Sequence, residues 1–307
     1  MTESAAKGRR SLAARVFRSP SEARLRAGWR LSLQVLMQVA LMVAASCALL
    51  ALPGYSLREM AAPSAGPGLA LAEFAQLGAV TLSVVLARRL LDRRTFVSLG
   101  LNVNRRAVLD LFAGMGIAAL MMALVFVAEW KQGWIEPTGF AWASEPGLSV
   151  VFNVLVCLVV FTLVGWNEEL MSRGYHLQTI ASGLTLGWGW ILSSIIFSLL
   201  HLANPHATWT SAAGIFLAGL MLGYGFIRTR RLWLCVGLHI GWNFFEGTVF
   251  GFPVSGLTVY HLARVRTVGP EIWTGGAFGP EAGLVMIPAI ALGFALIRLY
   301  TPRAFPP

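Results

Sequence analysis

Long apolar runs recur along the whole chain, separated by short polar segments that contain glycine and proline. Eight of them approach the roughly 20 residues that a helix needs to cross about 30 Å of hydrocarbon. They are residues 31–52, 68–87, 107–128, 148–167, 187–204, 211–228, 233–250 and 281–299. The runs are continuous, whereas strands of a membrane barrel alternate apolar and polar residues. The pattern therefore predicts an all-α, polytopic membrane helix bundle with about eight transmembrane helices.

The composition excludes several classes of protein. Of the 307 residues, 56% are hydrophobic and 12% are charged, against roughly 45–50% and about 25% in soluble domains. A disordered chain, a coiled coil and an ordinary soluble enzyme do not have this composition. The three cysteines, Cys47, Cys157 and Cys235, all lie in apolar runs. Their spacing matches neither a zinc motif nor a disulfide framework.

The net charge of +10 would suggest nucleic acid in a soluble protein. Here the basic residues form short runs beside apolar stretches, which is how membrane topology is encoded, so no nucleic-acid partner is expected. If the N-terminus is inside, four of the 24 Lys and Arg residues fall outside, namely Arg58, Lys131, Arg264 and Arg266. The other 20 fall inside. This asymmetry predicts an integral membrane protein in the lipid bilayer with both termini cytoplasmic. The Ala- and Arg-rich composition suggests that the membrane is a bacterial plasma membrane.

Charged residues inside the spans are candidates for function, because burying one at the bilayer centre costs about 2.5 kcal/mol or more. Glu168, Glu169 and Arg173 lie at the end of the fourth run. Glu169 and Arg173 are four residues apart and can pair on one helix face, which leaves Glu168 free to take a proton from water. The alternative is an interfacial charge cluster in which Arg173 marks the inner end of the span. Glu73 and Glu129, near span ends, are interpreted as structural.

Two further runs carry polar residues that need partners. His239 and Asn243 are four residues apart in the seventh run, on one helix face, and a shared cavity would supply their partners. Glu246 follows nearly on that face, as a third member or an outer-end charge. His201 lies among apolar residues in the fifth run; by itself it suits a hydrogen-bonded structural role.

The depth of these residues in the membrane sets a condition on the helices. At 1.5 Å per residue, His201 lies about 21 Å into its span from Gly187, whereas Glu168 lies near the inner end of the preceding span. The two can meet only if that preceding helix continues past Arg173. We therefore expect helix to continue through residues 175–178.

Taken together, the three segments read Glu-Glu-x-x-x-Arg, Phe-x-x-x-His and His-x-x-x-Asn on separate spans. In this order and spacing they resemble the CPBP family, which comprises the type II CAAX prenyl proteases and the bacteriocin-processing or self-immunity (Abi) membrane proteins. The resemblance covers about residues 150–250. Ser172 departs from it, since many members have an aromatic residue there. The resemblance implies an intramembrane endopeptidase that hydrolyses a peptide bond of a peptide or protein substrate at the membrane.

The resemblance also implies roles for the residues of the first two motifs. Glu168 would be the general base that activates water in a cavity between spans. Glu169 and Arg173 would shape the site and set its electrostatics. His201 would orient the water.

His239 and Asn243 would, by the same resemblance, donate hydrogen bonds to the oxyanion of the tetrahedral intermediate. A divalent metal such as zinc is the alternative, held by Glu168, His201 and His239, because two histidines and a glutamate bind zinc in some metalloproteases. The spacing H-E-x-x-H of such enzymes does not occur in the sequence. We favour a metal-free site without a cofactor.

Two other functions compete with the protease. One is a non-catalytic self-immunity or scaffold protein of the same fold, and the other is a proton-coupled transporter that uses the Glu and His residues as a relay. The sequence shows neither the internal repeats nor the paired broken helices of many transporters, and it carries no signal for an oligomeric state.

The predicted organisation is a basic cytoplasmic arm (1–30), a three-span region (31–147), a catalytic core (148–250), and a loop, last span and cytoplasmic tail (251–307).

Overall fold

The computed structural model describes residues 16–19, 22, 24–51 and 67–302, and it is a bundle of long helices. Most of the predicted N-terminal arm, the loop that contains Arg58 and the end of the C-terminal tail lie outside the described residues. The helices are α1 (Ala27–Leu50), α2 (Pro67–Leu86), α3 (Arg105–Lys131), α4 (Gly147–Glu169), α5 (Leu177–Gly183), α6 (Leu186–Leu200), α7 (Trp209–Thr229), α8 (Trp233–Asn243), α9 (Glu271–Thr274) and α10 (Met286–Tyr300).

Within the described part of the chain, six helices are long and apolar enough to cross a membrane. They correspond to the first six predicted spans, which confirms the all-α, polytopic membrane bundle. The last two predicted spans are also helical but shorter. Helix α8 has 11 residues before its turns widen through Phe244–Val249, and α10 has 15.

Helix α8 is an interior helix. Every residue from Leu234 to Asn243 is buried, so the helix contacts protein on all sides. Glycines let α3 approach it closely: a Cβ added to Gly237 would lie 2.0 Å from the backbone oxygen of Leu111. The candidate residues of α8 are thus held at the centre of the bundle.

The helix of the fourth span continues past Arg173, as expected. Helix α4 runs without a break into wide, π-helical turns at Leu170–His176 and then into α5, so that helix extends over Gly147–Gly183. At 1.5 Å per residue, Glu168 then lies about 22 Å from Gly183. His201 lies at a similar distance from the start of α6, so both residues reach the same depth.

The segments rich in arginine meet at one end of the bundle, which we call the arginine-rich end (residues 24–30, 87–106, 228–233 and 300–302). Asp92 is buried there among Arg24, Arg30 and Arg88. Leu232 N–H donates to the oxygen of Gly100 at 3.1 Å. These contacts join the first helices to the segment between α7 and α8.

The longer connections meet at the opposite end, which we call the loop end (residues 132–146, 201–208 and 250–285). Strand β1 (Ile135–Phe140) pairs antiparallel with strand β2 (Ala263–Thr267). Asn204 Nδ2 donates to the oxygen of Ser255 at 3.1 Å, and Gly256 N–H donates to the oxygen of Phe278 at 2.8 Å. Helix α3, with 27 residues and a length of about 40 Å, connects the two ends.

Candidate active site

A cavity of about 230 Å³ lies between α4, α6, α7 and α8, and polar side chains from all three sequence motifs face it. Four of the six candidate residues line it, namely Glu168, His201, His239 and Asn243. Apolar side chains of α4 and α7 form much of the remaining wall. Residues separated by up to 75 positions in the sequence are therefore brought to one place.

Glu168 and the two histidines converge within this cavity. Glu168 Oε2 lies 3.6 Å from His201 Nε2 and 3.7 Å from His239 Nε2. The Nδ1 atom of His201 bonds to the backbone oxygen of Phe197 at 2.8 Å, and the Nδ1 atom of His239 bonds to Glu169 Oε1 at 2.8 Å. Because both Nδ1 atoms face acceptors, we assign them the proton, so that both neutral rings turn an acceptor Nε2 towards Glu168.

Three acceptor atoms that face one another are repelled unless a donor lies between them. Glu168 Oε2 is buried and lacks a hydrogen-bond partner among the described atoms. The two distances from Glu168 Oε2 to the imidazole nitrogens, 3.6 and 3.7 Å, are longer than direct hydrogen bonds and can be bridged by a water molecule. Water has two protons to donate to such acceptors. The arrangement is thus complementary to a water held beside a carboxylate.

Glu169 and Arg173 lie behind this group and do not line the cavity. Arg173 Nη1 donates to Glu169 Oε1 at 2.6 Å, the pair expected from the spacing, and both side chains are almost completely buried. Arg173 Nη2 donates to the oxygen of Gly219 at 3.0 Å, and the guanidinium lies 4.3 Å from the centre of the Phe197 ring. Through His239, which the sequence did not connect to it, Glu169 also fixes an imidazole of the cavity.

The wide helical turns explain how these residues are placed. Glu169 is the last residue of α4 before the π-helical turns, and Asn243 is the last residue of α8 before the turns at Phe244–Val249. Turns of this kind occur often at functional sites, because an extra residue per turn re-aims the neighbouring side chains. Both motifs therefore end where the helix geometry changes.

The donor types of Glu168, His201 and His239 are those that zinc prefers. Among the described residues, however, no group of three or more His, Cys, Asp or Glu side chains is arranged to hold a metal ion. The three residues do not fit a metal as they stand in this structure.

Two carboxylates that were not predicted as site residues from the sequence also line the cavity. Glu281, from the loop before α10, is 5% exposed; its Oε2 accepts from Ser255 N–H at 2.7 Å and Ser255 Oγ at 2.6 Å, and its Oε1 accepts from Trp242 Nε1 at 3.1 Å. Glu73, interpreted as a structural charge, faces the same cavity. The signal for Glu281 was weak, a single carboxylate between glycines at the edge of an apolar run. Glu246 is fully buried but does not line the cavity.

The segment that carries the three motifs also matches a known protein family. Residues 150–245 match the family model described as type II CAAX prenyl endopeptidase Rce1-like. The chain matches no curated protein sequence with significance. The matched segment contains all six candidate residues, most of α4 and all of α5 to α8. The resemblance to the CPBP family is thereby confirmed, and residues 150–245 have the CAAX-protease-type fold of the Rce1-like endopeptidases.

Proposed function

We propose that the protein is an intramembrane endopeptidase, which hydrolyses a peptide bond with a water activated by Glu168. The observation that carries the proposal is the approach of Glu168 Oε2 to the Nε2 atoms of His201 and His239, at 3.6 and 3.7 Å. Glu168 Oε2 has no hydrogen-bond donor among the described residues. A carboxylate beside a space that suits water can accept the proton that water loses as it attacks a carbonyl carbon. The protonated carboxyl group can then donate that proton to the leaving amine.

The two histidines and Asn243 support this step. His201 is fixed by its bond to the Phe197 oxygen, so its Nε2 can accept a hydrogen bond from the water and orient it. Asn243 is a neutral amide donor that lines the same cavity. Together with His239, when the Nε2 atom of that ring carries a proton, it stabilises the oxyanion of the tetrahedral intermediate.

Glu169 and Arg173 do not line the cavity but act on the charge and orientation of the residues that do. The guanidinium neutralises Glu169, so that of the two adjacent carboxylates only Glu168 turns an uncompensated charge towards the cavity. Glu169 Oε1 also holds the Nδ1 proton of His239, and this fixes the direction of the Nε2 atom. The roles are those of positioning residues rather than of groups that contact the peptide bond.

Two other functions would use the carboxylate of Glu168 differently. A scaffold or self-immunity protein of the same fold would have no need for an unpaired carboxylate in a cavity, which favours the enzyme. A proton-coupled transporter would use the same carboxylate as a relay. We further propose that both termini are cytoplasmic, because the Lys and Arg residues are distributed in that way, and that the membrane is a bacterial plasma membrane, because the chain is rich in Ala and Arg.

Proteolysis by the purified protein in detergent tests the proposal. A set of peptides and membrane-protein segments is incubated with the wild type and with Glu168→Gln, which keeps the shape of the side chain but accepts no proton. We expect cleavage by the wild type, a loss of at least about 10² in rate for the variant, and no effect of a chelator. Equal cleavage by both proteins would disprove the role of Glu168. Activity that is lost on chelation and restored by zinc would instead make Glu168, His201 and His239 metal ligands.

A further inference from the structure

A groove of about 550 Å³ lies between the start of α1, the end of α5 and one face of α6. Its apolar walls are formed by Leu31, Ile180, Leu184, Leu192, Ile195 and Ile196. Leu184 is 59% exposed and Ile195 is 38% exposed, so the groove is open at the surface of the bundle. Because α1 and α6 are long and apolar enough to span a membrane, this surface faces lipid rather than water. We call it the α1–α6 groove.

Two arginines from the start of α1 also line the α1–α6 groove. Arg30 is buried; Asp92 supplies its counter-charge, and its Nη2 donates to Ser182 Oγ at 2.6 Å. Arg26 is exposed, and its Nε donates to the backbone oxygen of Arg18 at 3.3 Å. In the part of the chain that the structure describes, no carboxylate pairs with Arg26 and no acidic residue lines the groove. The groove thus offers one guanidinium that can bind an anion.

Aromatic residues beside Arg26 mark the depth of this polar end in the membrane. The rings of Phe17 and Trp29 lie 5.1 Å apart and both are exposed, and Trp29 Nε1 donates to the oxygen of Val16 at 3.1 Å. Tryptophan accumulates where the hydrocarbon meets the headgroups, because its ring is apolar and its N–H is polar. Arg26 precedes the first residue of α1 and Trp29 lies in its first turn. Both therefore lie at the level of the lipid phosphates.

From the shape, charge and depth of the groove we propose that the protein binds one phospholipid with an anionic headgroup there. The phosphate pairs with Arg26, and an acyl chain lies along Leu31, Leu192 and Ile195. The first turn of α1 contains no acidic residue and no side-chain cap, so the positive end of the helix also favours an anion. Basic pockets between membrane helices bind lipid headgroups in this way. The groove shares no lining residue with the candidate active-site cavity, and the inference does not depend on the proposed function.

Native mass spectrometry of the full chain in detergent tests the proposal. Titration with phosphatidylglycerol gives the dissociation constant of the first bound lipid. Phosphatidylcholine with the same acyl chains carries no net charge, and glycerol 3-phosphate carries the phosphate without the chains. Two variants each change one part of the groove: Arg26→Gln removes the guanidinium, and Ile195→Trp fills the apolar part.

Each variant has a matched control outside the groove. Arg89→Gln removes the charge of another exposed arginine at the arginine-rich end, and Ile191→Trp places the same ring on α6 at a residue that is also 38% exposed. Neither Arg89 nor Ile191 lines the groove. All four positions are exposed, so folding should be retained, and melting temperatures check that it is.

We expect the wild type and both controls to bind phosphatidylglycerol at least about fivefold more tightly than phosphatidylcholine, the factor that one arginine contributes near an anionic lipid. Arg26→Gln should lose this preference. Ile195→Trp should bind both lipids at least about fivefold more weakly, because burial of an acyl chain supplies much of the affinity for a lipid. Glycerol 3-phosphate should not compete with the lipid.

Three results would overturn the proposal: an unchanged preference in Arg26→Gln, unchanged binding by Ile195→Trp, or equal losses in the controls. Competition by glycerol 3-phosphate at the concentrations of lipid used would show a phosphate site that takes no lipid, and would overturn it as well. No proteolysis is measured, so the result is independent of whether the protein proves to be an endopeptidase.

Discussion

Replacement of Glu169 by glutamine separates the two adjacent carboxylates of the site. Glu169 Oε1 accepts from Arg173 Nη1 at 2.6 Å and from His239 Nδ1 at 2.8 Å. Glutamine has the same shape and keeps one acceptor oxygen, but it removes the negative charge. The guanidinium of Arg173 is then left buried without a counter-charge, with the Gly219 oxygen and the Phe197 ring as its remaining contacts.

The expected size of the effect follows from the burial of the pair. The side chains of Arg173 and Glu169 are 1% and 0% exposed, and breaking such a pair costs about 3–5 kcal/mol. Because glutamine keeps an acceptor, we expect the lower end of that range, about 3 kcal/mol. For a chain of 307 residues that corresponds to a fall in melting temperature of about 5 °C.

The assay compares melting temperature and turnover in detergent for Glu169→Gln and for the matched control Glu168→Gln. Glu168 Oε2 has no hydrogen-bond partner in the part of the chain that the structure describes, so the control should melt within about 2 °C of the wild type while its turnover is abolished. Addition of Arg173→Met to Glu169→Gln should restore part of the lost stability, because it removes the unpaired charge. It should not restore activity.

Two results would refute this reasoning. If Glu169→Gln has the melting temperature of the wild type but no activity, while Glu168→Gln remains active, the roles of the two carboxylates are reversed. If Arg173→Met lowers the stability of the Glu169→Gln variant further, the cost does not arise from the uncompensated charge of the guanidinium.

Three other substitutions test separate parts of the structure. Asn243→Ala should lower kcat about 10²–10³-fold, as loss of an oxyanion donor does; steady-state kinetics that show a change in KM alone would exclude that role. Glu281→Gln should cost about 1–3 kcal/mol, since the amide has one acceptor oxygen and either Ser255 or Trp242 loses its acceptor. It should also expose residues 251–259 to limited proteolysis, whereas the exposed Glu271→Gln should behave as the wild type does. Gly237→Ala should lower the melting temperature strongly, because its Cβ would lie 2.0 Å from a backbone oxygen of α3; Gly116→Ala, with open space around it, should leave it unchanged or raise it slightly.

Much of the fold follows from the sequence because it depends on local properties. The length of an apolar run fixes where a helix can cross the membrane, and the observed helices coincide with the predicted runs to within a few residues at most boundaries. The pair Glu169–Arg173 was predictable for the same reason, since a spacing of four places two side chains on one helix face wherever the helix lies. The continuation past Arg173 followed from the requirement that Glu168 and His201 reach one depth.

Only the tertiary structure decided which side chains meet across helices. The bond between His239 and Glu169 joins residues 70 positions apart, and no periodicity in either segment determines how the two helices are rotated against each other. Glu281 joins the cavity because the loop before α10 folds back over α7 and α8, a contact between distant segments. Helix α8 is buried by its neighbours on all sides, which the sequence could not show, because an apolar run looks the same whether protein or lipid surrounds it. Local chemistry thus fixed the helices and the motif spacing, whereas long-range packing fixed the cavity and the loop residues that line it.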